Sequence, residues 1–248
     1  MPPTSHPEAK NMTGTDETSC EPVIKLDNLV KFFGRFAALR GISQSFVAGQ
    51  LYVVVGDNGA GKSTLLRVVA GLTQPSQGSV TLLGACNIRN VAHSLGYMGH
   101  APLLYDELSG MENLRYFAGL YGIADDSVCR AAMRQVGLDP ELHRRVGQYS
   151  QGMRQRLSLA RAVLHDPKLI LLDEPFSNVD AHSAREMATV LGQVRDRGKT
   201  ILVVTHQTAL MEPVADEFVQ MSEGKIVSRS RQRPSPQSST LSSELERI

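Results

Sequence analysis

Leu51-Tyr-Val-Val-Val-Gly56-Asp-Asn-Gly-Ala-Gly61-Lys62-Ser63-Thr64 decides how this chain is read. An apolar run ends in a glycine-rich turn, and a helical pattern over Thr64–Ala70 follows. The run, Gln50–Val55, shows no polar alternation, so both of its faces need cover, as in a parallel sheet flanked by helices. Gly56, Gly59 and Gly61, with Asp57, Asn58 and Ala60 between them, let the backbone turn so tightly that successive amide hydrogens share one concavity. The start of the helix adds partial positive charge at the same place. The spacing G-x-x-x-x-G-K-[ST] is therefore that of a polyphosphate-binding loop, with Lys62 reaching the β- and γ-phosphates and Ser63 giving an oxygen to Mg²⁺. It predicts that the chain binds a nucleoside triphosphate.

Two further buried strands, Lys168–Asp173 and Thr200–Thr205, repeat the unalternated apolar pattern. The first ends in Asp173-Glu174, which places two carboxylates at the C-terminal end of a strand, where ligands bind in open α/β sheets. Asp173 is suited to hold magnesium through water, and Glu174 to take a proton from an attacking water. Ser150-Gln151-Gly152-Met153 opens a helix whose apolar positions are Met153, Leu157, Ala160 and Leu164. Ser150 is a natural N-cap, and a capped helix start with free amides is also an anion site. A second amphipathic pattern carries Ala184, Met187, Ala188, Leu191 and Val194.

Between these lies a strand-poor stretch, Leu103–Leu138, which predicts a helical lobe inserted into the α/β core. Its first helix is announced by the capping box Ser109-Gly-Met-Glu112 and carries Leu114, Phe117, Ala118 and Tyr121. Glu217–Met221 and Lys225–Ser228 flank Ser-Glu-Gly and predict a hairpin.

Lysine plus arginine number 26 against 25 aspartates and glutamates, a balance that argues against a nucleic-acid partner. The 3 cysteines, Cys20, Cys86 and Cys129, form no CxxC pair, so a reducing compartment is expected. The longest apolar runs are strand-sized, and the polar opening residues do not read as a signal peptide. A cytoplasmic chain is expected. Residues 1–22 and 229–248 are too polar to fold alone and read as loose tails around one domain, 23–228.

Taken in order, these motifs resemble the nucleotide-binding subunits of ATP-binding-cassette transporters over residues 23–228. Tyr149-Ser-Gln-Gly-Met153 looks like the signature motif, Asp173-Glu174-Pro-Phe-Ser-Asn-Val-Asp180 like Walker B with its D-loop, and His206 like the switch histidine. Phe33, before Gly34, looks like the aromatic residue that stacks on adenine. The resemblance implies a P-loop NTPase core with an antiparallel β subdomain and an inserted α-helical subdomain. It also implies ATP and Mg²⁺ as cofactors, and an active form in which two subunits lie head to tail. Each ATP would then lie between the P-loop of one subunit and the Ser150, Gln151 and Gly152 segment of the other. Asp180 would communicate across the interface, and His206 would hold the γ-phosphate and orient the water. The membrane partner would be integral permease subunits, with this chain on the inner face of the cell membrane.

Two departures stand out: Gln151 and Met153 replace Gly and Gln of the usual signature, and His100 stands where a magnesium-contacting glutamine is usual. A neutral imidazole can replace an amide acceptor, but it titrates near physiological pH, which argues against His100 as a magnesium ligand. Gly96-Tyr-Met-Gly-His100 and the Tyr-rich helix after it are similar to the ATPase subunit of the heme exporter of cytochrome c maturation. That resemblance implies heme export, with drug, lipid or polysaccharide export as the alternative.

Overall fold

The computed structural model describes residues 22–232. The tails expected at 1–22 and 229–248 lie outside the described residues, apart from Pro22 and residues 229–232. Two sheets organise the rest. The larger has six strands in the order β5 (Leu95–Met98), β6 (Leu169–Asp173), β7 (Thr200–Val204), β3 (Leu51–Val55), β8 (Glu217–Ser222), β9 (Lys225–Arg231). All neighbours are parallel except β8 and β9. The smaller sheet is antiparallel, in the order β2 (Phe36–Phe46), β1 (Ile24–Phe33), β4 (Gln77–Leu82).

The unalternated apolar strands are covered on both sides. Val53, Ile170, Leu172, Ile201 and Val203 face one core, while Tyr52, Val54, Leu171, Leu202 and Val204 face the other. The first core is closed by α4 (Gln151–Val163) and α5 (Ala181–Asp196). The second is closed by α1 (Lys62–Val69) and the antiparallel sheet, through Leu65, Leu66, Leu39 and Phe46. Successive residues of a strand point to opposite faces, so only a strand apolar at every position serves two cores.

Between β5 and β6 the chain builds the lobe, with α2 (Gly110–Leu120) and α3 (Asp126–Gln135) packed on α4. The capping box forms: Ser109 Oγ accepts from the Glu112 amide at 3.3 Å, and a Glu112 carboxylate oxygen accepts from the Ser109 amide at 2.7 Å. That backbone hydrogen bond from Ser109, followed by its hydroxyl, holds the Glu112 carboxyl below its ordinary range. A short helix α6 (Thr208–Met211) follows β7. No helix among the described residues is long and apolar enough to cross a membrane.

One boundary needs correction. Strand β9 runs to Arg231, three residues into the stretch expected to be a loose tail. Arg229 explains it: its guanidinium pairs with the buried Glu217 carboxylate, 2.9 Å from one oxygen, and donates to the Ser45 carbonyl at 2.8 Å. A bidentate arginine–carboxylate pair supplies in charge what these residues lack in apolar surface.

Candidate active site

The loop after β3 is shaped by the contacts its glycines permit. Gly56 has φ +147°, and a Cβ there would stand 2.2 Å from the Met221 carbonyl oxygen on neighbouring β8. Gly61 has φ +99°, and a Cβ would meet the Ala38 carbonyl oxygen at 2.5 Å. Backbone thus packs directly on backbone, and no side chain fits at either position. Lys62, the first residue of α1, is buried and folds back over the loop, donating to the carbonyls of Gly56 at 2.7 Å and Asp57 at 2.9 Å. Burial lowers its ammonium below the ordinary lysine value, against the carboxylates of Glu174, Asp57 and Asp173, which push the other way.

A cavity of about 320 Å³ opens over this loop. Asn58, Gly59, Ala60, Gly61, Lys62, Ser63 and Thr64 line it together with Glu174, His206, Phe33 and Phe36. The two phenylalanines are cross-strand partners at the tip of the β1–β2 hairpin, and both are exposed. Exposed aromatic faces beside a phosphate cradle offer a stacking surface for a base. Phe36 went unnoticed in the sequence; its signal is its place opposite Phe33 across the Gly34 turn.

At the end of β6, Asp173 is buried and accepts from the Ser63 hydroxyl at 2.8 Å. Two hard oxygen donors so close fit a magnesium ion, which needs few protein ligands when phosphates and water complete its shell. The described residues hold no cluster of three or more His, Cys, Asp or Glu able to bind a metal. Glu174 follows with φ +52°, a conformation that a non-glycine residue adopts only when its surroundings impose it. Its amide donates to the Val204 carbonyl at 2.9 Å and its carbonyl accepts from the Ser177 amide at 3.1 Å. So held, a Glu174 carboxylate oxygen lies 3.3 Å from Nε2 of His206.

Ser150, Gln151, Gly152 and Asp180, expected to act across a subunit interface, lie outside this cavity. Ser150 caps α4, accepting from the Met153 amide at 3.2 Å, and neither it nor Gln151 nor Gly152 lines the cavity. Asp180 caps α5, accepting from the amides of Ser183 at 2.9 Å and His182 at 3.1 Å. The Ser183 amide, then its hydroxyl, hold the Asp180 carboxyl below its ordinary range. Gly152 and Asp180 meet each other instead: a Cβ at Gly152 would stand 3.7 Å from an Asp180 carboxylate oxygen. His100 is exposed on the loop after β5 and takes no part in the cavity.

Comparison with known proteins bears on this arrangement. The family model described as "ABC transporter" matches residues 39–177. The chain is 34% identical over 211 residues to the bacitracin transport ATP-binding protein BcrA of Enterococcus faecalis, covering 84% of this chain and 68% of that one. It is 31% identical over 205 residues to the lantibiotic transport ATP-binding protein SrtF of Streptococcus pyogenes, covering 83% and 89%. Its fold matches the ATP-binding cassette MJ0796, described as dimeric in a post-hydrolysis state with ADP and phosphate. That match has a TM-score of 0.78 at 22% identity and covers 85% of this chain and 99% of that one.

Proposed function

This chain belongs to the ABC transporter family and is an ATP hydrolase of the transport-coupled kind; from that premise we propose that it powers an exporter of antibiotic-like compounds. The relatives named for bacitracin and lantibiotic transport support this reading over heme export. Its catalytic half rests on one observation: Lys62, Ser63, Glu174 and His206 converge on a single cavity.

In this reading ATP lies over residues 56–64, its base against Phe33 and Phe36 and its β- and γ-phosphates against the loop amides and the Lys62 ammonium. Ser63 and Asp173 hold magnesium, which neutralises charge on the phosphate oxygens. Glu174 takes a proton from the water that attacks the γ-phosphorus. His206, 3.3 Å from that carboxylate, orients the water and the γ-phosphate. The α4 amides that the Ser150 cap leaves free lie away from the cavity of their own chain, so they serve the nucleotide of a second copy. ATP then joins two subunits, and its hydrolysis releases them.

The permease meets the lobe. Leu103, Tyr105, Tyr116, Leu120 and Tyr121 are exposed there, on α2 and its flanks. The rings of Tyr105 and Tyr116 lie against each other, 5.0 Å between centroids, and exposed aromatic residues suit a protein interface.

Expression with its permease in a bacterium sensitive to bacitracin, a lantibiotic and a macrolide tests this. Resistance to at least one of these should rise, and fall back with the Glu174→Gln variant. Unchanged resistance, with holo-cytochrome c lost on deletion of the native gene, would restore heme export.

A further inference from the structure

Gln207 occupies the N-cap position of α6, yet its side chain makes no capping hydrogen bond there. It reaches back instead, its Nε2 donating to the carbonyl of Phe176 at 3.2 Å. Phe176 is fully buried and stands two residues past Glu174. The Gln207 amide is held as well, donating at 3.1 Å to the hydroxyl of Thr205, which is also buried. His206 therefore sits between two anchored neighbours. Its own ring is half exposed and lies 3.3 Å from a Glu174 carboxylate oxygen, so the placement of its backbone bears on where the ring sits.

These contacts close a loop. Glu174 leads through Pro175 to the Phe176 carbonyl, which Gln207 grips, and His206 beside Gln207 returns to Glu174. A side chain at position 207 must reach a carbonyl and present an N–H. Aspartate would offer it only an acceptor, and asparagine is one methylene short.

We infer that Gln207 is a positioning residue for hydrolysis, setting the His206 ring against Glu174 by tying its loop to the segment that follows Glu174. The inference rests on the catalytic reading of Glu174 and His206 proposed above. It assigns Gln207 no contact with nucleotide.

Gln207→Met keeps the length and removes the donor. In the full chain, kcat for MgATP should fall about 10-fold, because displaced reacting groups are costly. KM and the affinity for a fluorescent ATP analogue should stay within about twofold, since the phosphate cradle is untouched. In a His206→Ala background the same change should have no further effect, because residues acting through one another are not additive. A second readout needs no turnover: the NMR signal of the His206 ring should respond to Glu174→Gln in the wild-type chain and lose that response in Gln207→Met. Wild-type kcat in Gln207→Met, effects that multiply with His206→Ala, or an undiminished His206 response would each overturn the inference. A wild-type chain that failed to hydrolyse ATP would count against the catalytic reading instead, with the NMR comparison still deciding the role of Gln207.

Discussion

Glu174→Gln lowers ATP turnover by about 10²–10⁴-fold, the usual contribution of a general base, while MgATP stays bound. Glutamine has the shape of glutamate and can still occupy the wall of the cavity beside His206. What it lacks is a carboxylate able to take a proton. The hydrogen bonds of the groups expected to hold the nucleotide, Lys62 to the loop carbonyls and Ser63 to Asp173, do not involve Glu174. Binding and hydrolysis should therefore separate. Steady-state phosphate release and equilibrium binding of a fluorescent ATP analogue measure the two; turnover at the wild-type rate would remove Glu174 from the chemistry.

Lys62→Met should act on the other quantity. Lys62 is the buried cation of the cavity, and its ammonium joins the two ends of the loop through the Gly56 and Asp57 carbonyls. Methionine follows the lysine chain as far as Cε but lacks the ammonium, and so leaves those carbonyls, and the phosphates, without a charged donor. Removing one partner of a buried charge-assisted contact costs about 2–5 kcal/mol, which corresponds to a loss of affinity of roughly 30- to 5,000-fold. The residues on both faces of the parallel sheet are untouched, so the circular dichroism spectrum should not change. Calorimetric ATP binding with wild-type affinity would contradict the role given to Lys62.

The residues that made the central fold readable are those with one plain physical demand. Leu51–Val55, Leu169–Asp173 and Thr200–Val204 are apolar at nearly every position because both faces are buried. The antiparallel sheet came only from the family resemblance. Strand β1 pairs with β2 through several register shifts, so its burial breaks alternation, and β4 is mostly exposed. Periodicity cannot reveal strands whose period is interrupted. Strand β5 has four residues, too few to show any period. Arg229–Arg231 looked like tail because the pairing of Arg229 with Glu217 is invisible in composition.

The candidate site divides in the same way. Gly56–Ser63, Asp173 and Glu174 follow one another in motifs that chemistry dictates; the fold gathers Asn58–Ser63 and Glu174 with His206, and Asp173 reaches Ser63. Gln207 reaches Phe176, distant in sequence, so only the folded chain reveals that contact, whereas Phe36 pairs with Phe33 across a short turn. Ser150 is legible as a helix cap, but its separation from the Lys62 cavity is a three-dimensional fact, and in the proposed function a second subunit brings the two together.

The pairing of two copies around ATP is most directly tested by a distance between protomers. Spin labels on Ser150→Cys in one copy and Asn58→Cys in another, with Glu174→Gln present and the 3 native cysteines replaced by serine, report it by pulsed electron resonance. With MgATP, a single short distance between copies should appear, and it should vanish when nucleotide is removed. A preparation saturated with MgATP in which the two labels stay far apart would contradict the shared grip on ATP.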